Sequence, residues 1–247
     1  MLRNWIKKKI KIEKPELSGF PQDVKQEVID LINKVTPFTM TSTERLLTLF
    51  NSIEYLHNNK IQGDFIECGV WKGGSIMAMI LKLQKLCVDN RNIWLYDTFE
   101  GMTAPKQEDK KFDGTSASKL LNEDKERKSN VWAVSHLEEV VKNISTLSYP
   151  ENRIKFIKGP VEETLNMEVP DKISLLRLDT DWYESTKIEL EILFPKLVKG
   201  GVLIIDDYGH WKGCKLAVDE YFAKIGNPVF LHRIDYTGRI LIKSWDD

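Results

Sequence analysis

The chain has 247 residues, its 36 Lys and Arg nearly balance 37 Asp and Glu, and 42% of it is hydrophobic. That length suits one large α/β domain, while the even charge excludes a global electrostatic case for nucleic acid or an anionic surface as partner. Cys68, Cys87 and Cys214 form no CxxC pair, which leaves no zinc ribbon or disulfide framework and suits a reducing cytoplasm.

The basic stretch from Met1 to Lys11 lacks a continuous apolar core, so it reads as a solvated or partner-packed arm rather than a secretory signal. A weak membrane-surface helix is its alternative reading. No apolar run reaches the ~20 residues of a membrane span. After Pro21, the spacing of Val24, Val28, Leu31, Ile32 and Val35 predicts a helix over 21–35. A second helix opens at Thr41-Ser42-Thr43-Glu44 and runs through Leu56, with Thr41 and Glu44 at capping-box spacing.

From Asp64 onward, strand and helix patterns alternate. Strands are predicted at 64–68, 92–97, 153–158, 173–178 and 200–205, with helices at 75–88, 135–147, within 183–199 and at 214–225. The polar stretch 101–130 is too long for an ordinary connection and reads as a mobile insertion or lid. A hairpin closes the pattern over 229–242, turning at Asp235-Tyr236-Thr237-Gly238. Cys68 and Cys87 read as small core residues. The pattern implies a Rossmann-like α/β fold, a seven-stranded mostly parallel sheet with one antiparallel strand, preceded by N-terminal helices. It divides into an arm and helical lid segment at 1–60 and a sheet domain at 61–247, a single domain overall.

Two acidic clusters end consecutive apolar strands: Asp179 and Asp181 after the first, Asp206 and Asp207 after the second. Strands joined by one crossover helix are usually sheet neighbours with their carboxyl ends on one edge, where open α/β sheets bind ligands. Up to four carboxylates then share a small volume, and a hard divalent cation is the simplest relief of their repulsion. Asp181 faces the same side as Asp179 only if the strand is still extended there.

Glu67-Cys68-Gly69-Val70-Trp71-Lys72-Gly73-Gly74-Ser75 joins the first strand to its helix. Trp71 stands at the middle-glycine position of the dinucleotide fingerprint, and no Gly-Lys-Ser/Thr ending marks a P-loop. Asp97 ends the second strand, where a carboxylate accepts both hydroxyls of a ribose, although a turn-forming role is an equal alternative. Glu67 ends an apolar strand, where an unpaired charge is costly and a ligand ammonium would satisfy it. A ligand with a nucleoside at one end and a cationic amino acid at the other is S-adenosylmethionine.

Taken together, Glu67-x-Gly69-Val70-x-x-Gly73-Gly74-Ser75, Tyr96-Asp97-Thr98-Phe99-Glu100-Gly101-Met102, Leu178-Asp179-x-Asp181-x-Tyr183-x-Ser185-Thr186 and Ile205-Asp206-Asp207-Tyr208, with Met40-Thr41-Ser42-x-Glu44-Arg45 upstream, resemble the macrocin-type (TylF-type) sugar O-methyltransferases. The resemblance spans about 36–223. It implies a class I methyltransferase fold using S-adenosylmethionine and Mg²⁺, with members that methylate deoxysugar hydroxyls on antibiotics. It also implies a metal held by Asp179, Asp206 and Asp207. Glu67, Gly69, Trp71, Gly73, Gly74, Ser75, Asp97, Thr98 and Asp179 would line the cofactor site. Thr41 and Ser42 would close over the methionine end, and Gly159 to Glu162 would lie near the adenine. A homodimer is a family expectation.

A sugar hydroxyl is a poor nucleophile at neutral pH, so a base is needed beside the metal. Asp179 or Asp181 is favoured, with His210 third because its intrinsic pKa is suitable. Trp182, Tyr183, Tyr208 and Trp211 surround the acidic clusters, either stacking on a sugar or packing the core. The acceptor is a glycoside, nucleotide sugar or polysaccharide hydroxyl. Competing readings are a phenolic or catechol-like acceptor, a nicotinamide-dependent oxidoreductase, which Trp71 opposes, and a non-catalytic nucleoside-binding module.

Overall fold

The computed structural model describes residues 20–246, so the reading of the basic arm lies outside the described residues. Two helices, α1 (Gln26–Val35) and α2 (Thr43–Asn58), precede β1 (Asp64–Cys68). Then follow α3 (Gly74–Lys85), β2 (Ile93–Asp97), α4 (Ala117–Glu123), α5 (Leu137–Ser145), β3 (Ile154–Lys158), α6 (Val161–Thr164) and β4 (Ile173–Leu178). The chain continues through α7 (Tyr183–Leu193), β5 (Leu197–Ile205), α8 (Lys212–Ile225), β6 (His232–Arg233) and β7 (Arg239–Ile242).

The seven strands form one sheet in the order β3-β2-β1-β4-β5-β7-β6. β1 to β5 run parallel, and β7 lies antiparallel to β5 and to β6. The single reversed strand matches the expectation. β6 is the shortest strand, two residues of a predicted six, and both are exposed at the sheet edge.

The near-continuous apolar runs of β1, β4 and β5 follow from burial on both faces. Successive side chains alternate between two cores. Phe65, Leu175, Val202 and Ile204 meet α1, α2, α3 and α5 on one face. Ile66, Cys68, Leu176, Leu178, Leu203 and Ile205 meet α4, α7 and α8 on the other. Strand order reverses between β1 and β4, which opens a crevice at their carboxyl ends.

Three local expectations change. Ser42, not Thr41, caps α2, accepting from Arg45 N–H at 3.2 Å. Thr41 therefore keeps its hydroxyl for another partner. Cys87 is exposed just beyond α3, because that helix ends before it, whereas Cys68 and Cys214 are buried. The stretch 101–130 contains α4, whose Ala117 and Leu121 pack into the second core. Within it, buried Asp109 accepts from the backbone N–H of Tyr183 at 2.8 Å, which ties the stretch to the start of α7.

Candidate active site

Period-two alternation carries Glu67, Arg177 and Asp206 onto the face that α2 covers. Glu67 lies opposite Arg177 in the β1–β4 register, and Arg177 lies opposite Ile204, two residues before Asp206. Asp179 shares the parity of Arg177 just past the strand. The Arg177 guanidinium, 2% exposed, bonds Glu67 Oε1 through Nη1, which also lies 2.8 Å from Asp179 Oδ2. Its Nη2 donates to Asp206 Oδ1 at 2.6 Å and to the freed Thr41 hydroxyl at 2.9 Å. Glu67 is thus not the unpaired charge that the sequence suggested, although its Oε2 is buried without a hydrogen-bond partner. Burial still pushes the Glu67 carboxyl up to about 7, against the pull of Arg177.

The acidic clusters meet as expected. Asp179, Asp206 and Asp207 each present an oxygen, and the three atoms lie within 4.8 Å of one another. An all-carboxylate set of this kind suits a hard divalent cation. Asp206 is covered on both oxygens, by Arg177 on one and by Arg45 Nη1 on the other. Arg45 Nε also donates to Asp235 Oδ2 at 3.0 Å, and Ser42 donates to that oxygen at 2.6 Å. The start of α2 is therefore pinned to the β6–β7 turn directly above the cluster.

Asp181 reaches the cavity by a route other than the extended strand considered above. Its φ is +69°, a left-handed kink, which Asp tolerates better than most residues. The kink brings its N–H to Asp207 Oδ2 at 3.2 Å. Burial pushes the Asp181 carboxyl up to about 7, and Asp179 beside it adds to the rise. Asp207 is raised as well, by burial and then by Asp181, so each opposes ionisation of the other. His210 lines the same cavity, edge-on to Trp211 with ring centroids 5.0 Å apart, and burial lowers its pKa.

Across the cavity, the β1–α3 loop is shaped by left-handed residues. Gly69 has φ +81° and lies against the Asp179 carbonyl, where a Cβ would collide. Trp71 has φ +47°, an outlier for a bulky side chain. Asp97 holds this loop, as Oδ2 accepts from Val70 N–H at 2.5 Å and Trp71 N–H at 3.1 Å, and Oδ1 from Phe99 N–H at 2.7 Å. The turn-forming alternative is thus realised at Asp97, which still faces the cavity; burial raises its pKa against those three donors.

One cavity of about 470 Å³ unites both sides. Thr41, Glu67, Gly69, Trp71, Ser75, Asp97, Thr98, Gly159, Glu162, Asp179, Asp181, Asp206, Asp207 and His210 all line it. Three expected residues do not. Gly73 backs onto Val140 and Ile144, Gly74 onto the Phe38 backbone, and Ser42 is spent on the helix cap and Asp235. Both glycines serve close packing of α3 instead. Of the four aromatics, Trp182 and Trp211 line the cavity and also pack edge-on with centroids 4.9 Å apart, while Tyr183 and Tyr208 bond Glu220 and Asp219 outside it. Sequence reading missed Arg45, Arg177, Asp235 and Tyr236. The signal for Arg177 was present, as a lone cation in an otherwise apolar strand.

The family model of macrocin O-methyltransferases (TylF) matches residues 8–243. A demethyldecarbamoylnovobiocin O-methyltransferase from Streptomyces niveus is 35% identical over 200 residues, 81% of this chain and 73% of that protein. A tetracenomycin rhamnosyl 4'-O-methyltransferase from Streptomyces olivaceus is 32% identical over the same shares. Among solved structures, the O-methyltransferase NovP aligns with a TM-score of 0.73 and 34% identity, covering 84% of this chain and 83% of NovP.

Proposed function

This chain belongs to the macrocin O-methyltransferase family and is an O-methyltransferase, and from that premise we propose that it methylates a sugar hydroxyl, using S-adenosylmethionine and a divalent metal such as Mg²⁺. One observation carries the reading: a single cavity joins Glu67 and the Asp97-braced loop to the carboxylate triad of Asp179, Asp206 and Asp207. The orphaned Oε2 of Glu67 suits an ammonium group, and the all-oxygen triad suits Mg²⁺. The sugar acceptor is supported by the relatives, since the Streptomyces olivaceus enzyme is named for transfer to a rhamnosyl unit.

When bound, the cofactor supplies an electrophilic methyl and the metal an oriented, more acidic hydroxyl. The protein's own groups do the rest. Glu67, Gly69 and Ser75 bind the amino-acid end, and Asp97, Thr98, Gly159 and Glu162 face the nucleoside. Asp181 is the base: its pKa of about 7 matches neutral working conditions, and its kink aims it into the cavity. Asp181 would take the proton of the acceptor hydroxyl as that oxygen receives the methyl group the cofactor would supply. Asp179 is committed to Arg177 and the triad, and His210, its pKa lowered by burial, is the alternative base. Trp182 and Trp211 exclude water from the acceptor side.

Calorimetry with S-adenosylhomocysteine, followed by methyl-transfer assays on rhamnosyl and phenolic acceptors with and without Mg²⁺, tests this reading. Tight binding, with metal-dependent transfer to the glycoside, is expected. Transfer that survives chelation, or goes only to phenols, rules it out.

A further inference from the structure

Burying an arginine in the middle of a parallel sheet is costly unless its charge and donors are matched. In β4 it occurs within the run Ile173-Ser174-Leu175-Leu176-Arg177-Leu178, at 2% exposure. Arg177 is matched from two directions. Toward β1 its Nη1 holds Glu67, on the cofactor side. Toward β5 its Nη2 holds Asp206 at 2.6 Å, and Nη1 lies 2.8 Å from Asp179, both on the metal side. No other guanidinium among the described residues pairs with both sides; Arg45 pairs with Asp206 and Asp235 alone.

We propose that Arg177 is a positioning residue shared by the two halves of the site, fixing Glu67 for a ligand ammonium while competing with a metal cation for Asp179 and Asp206. The two halves trade affinity through one side chain. With Arg177 present, Glu67 has the charged partner that holds it in a dry position, and the metal carboxylates are partly satisfied before any ion arrives. Without it, Glu67 is stranded in the core and neutralises or turns away, because removing one member of a buried pair leaves its partner uncompensated. Asp179 and Asp206 meanwhile lose a competing cation and become stronger ligands. The inference rests on the cofactor and metal reading given above.

The test measures both halves separately in the full chain. S-adenosylhomocysteine affinity is read by calorimetry and Mn²⁺ affinity by electron paramagnetic resonance, for the wild type, Arg177→Met and Arg177→Lys. Loss of the guanidinium should weaken S-adenosylhomocysteine about tenfold or more and tighten Mn²⁺ about threefold or more. Opposite shifts are the signature, since general damage to the fold weakens both. If Arg177→Met does not fold, Arg177→Lys decides, because its single ammonium keeps charge but cannot bridge three carboxylates; smaller shifts of the same opposite signs are expected. Both affinities falling together, or neither moving, overturns the inference and leaves the site reading intact. A wild type that binds neither probe overturns the site reading itself.

Discussion

Asp97 and Asp206 close opposite sides of the same cavity, yet one is held by main-chain N–H groups and the other by two guanidinium groups. Backbone donors are fixed by the fold, so Asp97 and the loop it braces are held without help from side-chain charge. Side-chain cations are exchangeable. Arg45 and Arg177 neutralise part of the acidic side, and under the proposed reading a metal would compete with them for it. A site that must accept a dication needs carboxylates gathered beforehand without collapse, and paired arginines achieve this at lower risk than bare charges. The cofactor side has no such demand.

The largest effect that would sharpen this contrast is expected at Asp181. Asp181→Asn should lower kcat by about 10²–10⁴-fold, the usual share of a general base, while S-adenosylhomocysteine binding stays unchanged by calorimetry. A kcat within threefold of wild type would move the base elsewhere, to Asp179 or His210. On the cofactor side, Asp97→Ala removes an acceptor from three backbone donors. It should cost about 1–3 kcal/mol of stability and weaken S-adenosylhomocysteine tenfold or more. Mn²⁺ affinity should not move; if it does, Asp97 is coupled to the acidic side by a route other than Arg177.

Both sides should also respond to pH. Glu67 and Asp181 are raised from 4.5 and 3.8 to about 7 in the folded protein. Between the ordinary carboxylate range and about 7, the folded state therefore holds protons that the unfolded state has released, and stability from these groups falls as pH rises. Because metal binding offsets that loss on the acidic side, the rise in melting temperature on adding Mn²⁺ should be larger at pH 8 than at pH 5. An equal rise at both would break the link between cluster charge and metal. The smallest effect is at Ser42. Ser42→Ala removes the α2 cap and a bond to Asp235, worth about 1 kcal/mol, or about 2–4 °C in Tm for a chain of this size.

Much of this could be read from the chain because apolar runs and the residues ending them report local burial. The five parallel strands, both acidic clusters and the glycine loop all follow from such patterns. What escaped depended on register. Glu67 and Arg177 are 110 positions apart and become partners only once β1 lies beside β4. The kink at Asp181 was hidden because Asp adopts either hand of backbone readily. Gly73 and Gly74 looked like ligand-contacting residues, yet they face Val140 and Phe38, neighbours that no local spacing reveals. Cys87 is not in the core because its helix ends three residues before the expected boundary, where boundaries are least legible.

The clasp between Ser42, Arg45 and Asp235 bridges 193 and 190 positions of chain. During synthesis the α2 segment leaves the ribosome long before its partner turn exists. For most of that interval Arg45 has neither carboxylate, since Asp206 itself lies 161 positions downstream, and not until the β6–β7 turn emerges can it divide its guanidinium between two. Assembly of the acidic side is therefore a late event in the life of each nascent chain, and contacts of such long range are slow to form. The last strands of the sheet and the clasp over the acidic cluster are completed together.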